Sequence, residues 1–239
     1  MILNNDPKVN HSRPAIDPLF YSVALNNGPN TIGVILSGFL DDGSAGLLVI
    51  KKCGGIPILQ DLEESEYPDM PKNASKYVHA DFFICSNKIS SALISLTDKA
   101  RIGSHENTPE DKVLNSEAEM FINNNEHSLK EISTPASYSC PSCKGILWKI
   151  DDRELDRYRC SLGHAYSLKS LEATYALTAE DAMWAVLKAL EDKGKLAKNI
   201  AKKAEKENAE DKDYLTKKAN NITEQVKAIK TLLEFRGAS

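Results

Sequence analysis

A four-residue apolar run, Gly33 to Leu36, stops at Ser37-Gly38 and is followed two residues later by Asp41-Asp42-Gly43. No other stretch constrains the fold of this chain as strongly. The run is too short for a buried helix and is bounded by turn residues, so it reads as a buried strand. Apolar residues from Ala45 to Lys52 then recur at helical spacing and stop at Gly54-Gly55, a C-terminal helix signal. A strand, a glycine turn and a helix in that order place Asp41 and Asp42 at the C-terminal end of a strand, where open α/β sheets hold their ligand sites. Two roles fit the acids. A carboxylate held there can orient a histidine in ester hydrolysis. The same residues also suit a plain βα turn in which an aspartate caps a helix.

The surrounding residues extend the alternation. Ile16, Leu19, Phe20, Val23 and Ala24 lie at helical spacing. Ile56 to Leu59 and Asp81 to Cys85 read as two more strands, Pro71 opens a short helix, and Ile89 to Leu96 forms another. Strands that alternate with helices imply a parallel sheet. Residues 99–138 are polar, with HENTPEDK, NNNEH and STPAS, and read as a linker with one short element near Glu117 to Ile122.

Cys140-Pro-Ser-Cys143 is followed, after sixteen residues, by Cys160-Ser-Leu-Gly-His164. A C-x2-C knuckle and a C-x3-H pair supply the four corners of a tetrahedron, and zinc accepts thiolate and imidazole together. With four protein ligands the site is closed and structural. Ile146, Trp148 and Ile150 alternate toward Tyr158, so the intervening residues read as a hairpin and residues 139–166 as a zinc ribbon. The competing reading is scattered buried thiols with a surface histidine. Cys53 and Cys85 lie in apolar runs and read as small core residues. His105 and His127 fall in polar sequence, His79 precedes a strand, and His11 could approach the Asp42 loop, though nothing in the sequence prefers that.

Residues 167–239 read as a helical tail. One apolar face runs through Leu171, Tyr175, Ala182, Ala185, Val186, Ala189 and Leu190, and a second helix carries Ile222, Val226, Ile229 and Leu232. Amphipathic helices of this length need a partner face, in each other or in another protein. The fold class expected is therefore α/β: a partial, doubly wound parallel sheet, then a small zinc ribbon and a C-terminal helical hairpin. A net charge of −4 over 239 residues gives no reason to expect nucleic-acid binding. No apolar run approaches a membrane span and the first residues lack the apolar core of a signal peptide, so a cytoplasmic chain without membrane insertion is expected.

HSRPAIDPLFYSVA, GVILSGFLDDGSAGLLVIKKCGGIPILQD and YPDMPKNA, in that order, resemble the CheB-type protein-glutamate methylesterase domain from about Arg13 to Leu96. The zinc ribbon and helical tail resemble extensions of a stand-alone branch of that family. The resemblance implies a Ser-His-Asp hydrolase on an α/β fold that removes γ-glutamyl methyl esters from chemoreceptor proteins and deamidates glutamines. It makes Asp42 the histidine-orienting acid and residues 1–98 a partial methylesterase-like domain. Phe39-Leu40 stands where Met-Gly is commoner. In the family the nucleophilic serine, in a glycine-rich turn, and the histidine lie upstream of the R-P-x-[IV]-D motif. Here that motif begins at Arg13, and the twelve residues before it hold no such turn. The resemblance thus implies a chain truncated at its N-terminal side, lacking nucleophile and base and inactive alone, or one that partners a chain carrying the other catalytic half. Its partners are then a methylated receptor or another signalling protein. The alternative from a different class is a non-catalytic module in which the zinc ribbon and helices bind a protein partner.

Overall fold

The computed structural model describes residues 5–80, 82–98, 111–123, 126–152, 154–206 and 211–236. They form two compact units, Met1–Thr174 and Tyr175–Ser239.

In the first unit, helix α1 (Ile16–Asn27) and a 3₁₀ turn (Gly28–Asn30) lead into strand β1 (Ile32–Ile35). Then come α2 (Ser44–Lys52), β2 (Ile56–Gln60), α3 (Asp69–Ala74), β3 (Phe82–Ile84) and α4 (Ser86–Asp98). The three strands lie in the order β1-β2-β3, all parallel, with Ile32 opposite Ile56 and Ile58 opposite Phe82. All five β2 residues are buried, as a central parallel strand requires, whereas Phe82 and Phe83 on the edge strand are exposed. Helix α2 is buried from Ser44 to Ile50 because α1 covers its outer side. Gly46 allows that approach: a Cβ there would meet Phe20 Cβ and the carbonyl oxygen of Asp17. The α/β class, the parallel sheet and the three strands read from the sequence all stand.

The next residues depart from the sequence reading. Residues 99–138, read as a linker with one short element near Glu117 to Ile122, hold α5 (Lys112–Asn123), which contains that element, α6 (Glu126–Glu131) and all but the last residue of β4 (Ser133–Ser139). Leu114 of α5 joins the core built by Tyr21, Leu47, Ile50 and Leu59. Met120, Leu129, Ile132 and Ile150 form a second buried cluster. The expected hairpin is a four-stranded antiparallel sheet: β4, β5 (Ile146–Ile150), β6 (Arg157–Cys160) and β7 (Ala165–Ser167), in that order. β4 carries no apolar alternation because it is an edge strand with five of its seven residues exposed, and its proline is tolerated there.

Helix α7 (Leu168–Lys206) begins in the first unit and continues into the second, where it is joined by α8 (Lys212–Arg236). Within the second unit Leu187, Gly194 and Ala204 are buried on α7, and Ala219 and Ile222 on α8. Lys230 Nζ reaches Glu191 at 2.9 Å, and a Cβ on Gly194 would meet Ile222 Cγ2 at 3.3 Å, so the helices run antiparallel along a seam of small residues. Ala182, Ala185, Val186 and Ala189, read as the apolar face, are exposed. Among the described residues no helix is long and apolar enough to cross a membrane.

Candidate functional site

The loop after β1 turns sharply. Leu40 and Gly43 both sit at positive φ, +61° and +88°, and Gly43 is the residue that precedes α2. At Gly43 the conformation favours glycine, and a Cβ would also press on Ile16 Cγ2 at 2.7 Å. This turn buries Asp41 and Asp42, and neither side chain caps α2. Asp42 caps the other helix: Oδ2 accepts from Ile16 N at 2.7 Å and Oδ1 from Asp17 N at 3.3 Å, the first amides of α1. Ala15, at the N-cap position of α1, offers no side-chain acceptor, so Asp42 supplies it from twenty-six residues away.

Asn10, which no sequence signal singled out, is the centre of the site. It sits at φ +47°, a left-handed conformation that asparagine tolerates. Its Nδ2 donates to Asp17 Oδ2 at 2.7 Å and to Asp42 Oδ1 at 3.1 Å. Its Oδ1 accepts from Ser167 N at 2.9 Å and Ser170 Oγ at 3.0 Å. Asp17 Oδ1 accepts from Gly46 N at 2.7 Å, and Asp41 Oδ1 from Ser167 Oγ at 2.7 Å. Three carboxyl groups thus share one buried polar network. Burial, reinforced by the Asp42 charge, pushes the Asp17 carboxyl up to about 8. Burial also raises Asp41, against the pull of the Ser167 hydroxyl and Lys169. Among the described residues the donors to Asp42 are Ile16, Asp17 and Asn10. An ionised carboxylate offers about four lone-pair sites, so one on Asp42 remains for a further donor.

The cysteines and histidine singled out by spacing do come together. The ligand atoms of Cys140, Cys143, Cys160 and His164 all lie within 4.8 Å of one another. Cys143 Sγ is 3.7 Å from Cys160 Sγ, and Cys160 Sγ is 3.5 Å from His164 Nδ1. A tetrahedron with Zn–S of about 2.3 Å and Zn–N of about 2.0 Å has edges of about 3.8 and 3.5 Å, so the donor set fits such an ion. Local turns make the geometry. Lys144 N donates to Cys140 O at 2.7 Å with Lys144 left-handed, and Gly163 N donates to Cys160 O at 2.9 Å with Gly163 at φ +98°. Burial first, then the crowding of Cys140 and Cys143, pushes the Cys160 thiol up to about 12. Tyr166 Oη lies 3.5 Å from Cys140 Sγ and 2.8 Å from Ser142 Oγ. The four side chains could hold a metal ion.

The other candidates stand apart. Cys53 is buried, and that burial raises its thiol, which suits a core residue. His11 and His79 are exposed, and the side chains of His105 and His127 lie outside the described residues. A cleft of about 270 Å³ opens beside Tyr21, but Lys52 and Arg157 in its wall are paired with Asp111, Glu154, Glu117 and Asp152.

The first unit is a parallel α/β segment with its acid loop at the C-terminal end of β1, the place where open α/β sheets hold ligand sites. Residues 1–93 match the family model of the CheB methylesterase. A protein-glutamate methylesterase/protein-glutamine glutaminase 1 of Xanthomonas campestris pv. campestris is 39% identical over 99 residues, 41% of this chain and 28% of the relative. A protein-glutamate methylesterase/protein-glutamine glutaminase of Thiobacillus denitrificans is 47% identical over 72 residues, 30% of this chain and 20% of the relative. One of Pyrococcus horikoshii is 37% identical over 101 residues, 42% of this chain and 27% of the relative. The chain thus spans less than a third of the length of these relatives. The crystal structure of the Thermotoga maritima CheB methylesterase catalytic domain is 34% identical, covers 39% of this chain and 49% of its own, and superposes with a TM-score of 0.38.

Proposed function

We propose that the first unit contributes the histidine-orienting acid of a protein-glutamate methylesterase and glutamine deamidase, with Asp42 as that acid. The observation that carries this reading is the hold on Asp42. The carboxylate is buried and fixed by two helix-terminal amides and one amide side chain, which among the described residues leaves about one of its four acceptor positions untaken. An orienting acid needs a fixed, water-poor carboxylate that accepts from the imidazole Nδ1–H and stabilises the imidazolium as it forms. No donor to Asp42 among the described residues is a histidine. The reading asks for a serine and a histidine beside Asp42, supplied by a CheB-type segment or by a partner chain. The substrate is a methylated receptor or another signalling protein, and the setting is the cytoplasm.

The test is hydrolysis of a protein γ-glutamyl methyl ester by the chain alone, and by the chain assembled with a CheB segment that carries the serine and histidine. The assembled protein is expected to turn over, and Asp42→Asn to lower its rate by about 10⁴-fold through the wrong imidazole tautomer. Asp41→Asn should leave most of the rate. Turnover by the chain alone, or an assembled protein indifferent to Asp42→Asn, would overturn the reading.

The cysteine cluster is the second part of the proposal: a structural zinc ribbon, one zinc per chain, held by Cys140, Cys143, Cys160 and His164. The ion would neutralise the crowded thiolates and tie the end of β4 to the loop before β7. Four protein ligands leave no position for water or substrate.

A further inference from the structure

We infer that strand β7 couples the cysteine cluster to the acid loop, so that Zn²⁺ on the four ligands fixes the position of Asp41 and Asp42, with Asn10 and Ser167 as positioning residues. This rests on the two readings above, the metal centre and the orienting acid.

The coupling is built from three consecutive residues. His164, the last ligand, leads directly into Ala165-Tyr166-Ser167. Alternation along a strand sends Tyr166 to one face and its neighbours to the other. Tyr166 turns toward the cluster, with its hydroxyl on Cys140 Sγ and Ser142 Oγ. Ala165 and Ser167 serve the acid site. Asn10 N donates to Ala165 O at 2.9 Å, and Ser167 N donates to Asn10 Oδ1. Ser167 Oγ reaches Asp41, and Ser170, in the first turn of α7, closes the network on Asn10. Asn10 in turn holds Asp42 and Asp17. Tyr166, Ser167, Ser170, Asn10 and Asp41 are all buried, where a polar network is worth more than in water and is costly when half-made.

A three-residue strand cannot hold this register by itself. Its ladder partner is β6, and among the described residues its other side has no second strand, just the isolated Val9–Ala165 bridge and the bonds to Asn10. Ligation of His164 pins the start of β7, and the pinned strand presents Ser167 to Asn10 and Asp41. By linkage the effect is reciprocal: if the ion orders the acid loop, breaking the loop's grip on β7 weakens the ion by the same factor.

The experiment uses the full chain and Zn²⁺ competed against a chromophoric chelator, together with amide hydrogen exchange of the Zn²⁺-loaded and stripped forms. Stripping should speed exchange at least about tenfold at Ile16, Asp17 and Gly46, whose amides bond to the acid carboxylates, and leave β2 protected. Asn10→Ala and Ser167→Ala should each still bind one Zn²⁺, with affinity lowered about fivefold or more. If Asn10→Ala does not fold, Ser167→Ala decides, since only a hydroxyl is lost. Zn²⁺ bound with unchanged affinity in Ser167→Ala, or with exchange that quickens equally in β2, would overturn the coupling alone. A wild-type chain that binds no Zn²⁺ would overturn the metal centre and the coupling with it, and would leave the reading of Asp42 untouched.

Discussion

Glu117→Gln is expected to destabilise the first unit by about 3 kcal/mol, the low end for removing one partner of a buried ion pair. Arg157 Nη1 lies 2.5 Å from Glu117 Oε2, and Arg157 Nη2 lies 2.6 Å from Asp152 Oδ2, with side-chain exposures of 10%, 4% and 9%. Tyr21 Oη donates to Glu117 at 2.8 Å and also accepts from Arg157. The glutamine keeps one acceptor but turns an amide donor toward either the guanidinium or the tyrosine hydroxyl. Asp152 remains, so the guanidinium is not left wholly unpaired, which argues for the low end. With a urea slope of about 2 kcal/mol/M, the unfolding midpoint should fall by about 1.5 M. The assay is urea unfolding followed by Trp148 fluorescence in a Trp184→Phe background, because Trp148 packs on the cluster of Met120 and Ile132. Lys149–Asp156 is the control. It is just as close, at 2.6 Å, but 44% and 47% exposed, so Lys149→Gln should leave the midpoint unchanged. A Glu117→Gln midpoint no lower than that of Lys149→Gln would refute the reasoning, since α5 would then not be docked through this carboxylate.

Two further outcomes follow from the acid loop. The Asp17 carboxyl is pushed up to about 8 in the folded chain, above its ordinary value of 3.8. The folded state therefore holds a proton that the unfolded chain has released, and this stabilisation is complete below about pH 4 and is lost as pH rises through about 8. The urea midpoint of the first unit should fall between pH 5 and pH 8 and fall less in Asp17→Asn; a wild-type midpoint that is flat or rising over that range would contradict it. Gly43→Ala should cost about 1–2 kcal/mol for its left-handed backbone alone, with the contact on Ile16 adding to it. A change below about 0.5 kcal/mol would show that the loop reshapes freely, as surface substitutions do.

What could be read from the sequence followed from how each element is buried. β2 was legible because IPIL is a continuous apolar run, the mark of a strand covered on both faces. The cysteine cluster was legible because its C-x2-C and C-x3-H pairs stand at the spacing that metal ligands use. α5 was legible only in part, as one short element near Glu117 to Ile122, since its decisive inward residue is Glu117, a carboxylate that looks solvated until Arg157, forty residues later, folds against it. β4 was hidden by its polar, edge-strand composition. On α7 the sequence offers two apolar stripes, and the broader one, through Ala182 and Val186, is exposed. The seam against α8 uses Gly194 and Ala204, whose small side chains carry little hydropathy but permit close approach. Asn10 belongs to no period at all, and its role exists only once four distant segments meet.

Of the two roles read for the acid loop, the helix cap is present but falls on α1, through Asp42, and not on the helix that follows the turn. Capping α1 and orienting a histidine both require a carboxylate whose direction is fixed, and the α1 amides fix it for Asp42. Such a site would be defeated if neighbouring carboxylates all carried charge in the same buried space. Asn10 spans Asp17 and Asp42, and Asp17 is the member pushed up to about 8, so the proton that relieves the pair falls on Asp17. Asp41 is drawn away to Ser167 on β7, the strand that follows His164 of the cysteine cluster. The loop can therefore carry two adjacent aspartates because each is turned to a different neighbour. Asp42 faces α1 and Asp41 faces the antiparallel sheet, and exchanging their neighbours should damage both the helix cap and the hold on β7.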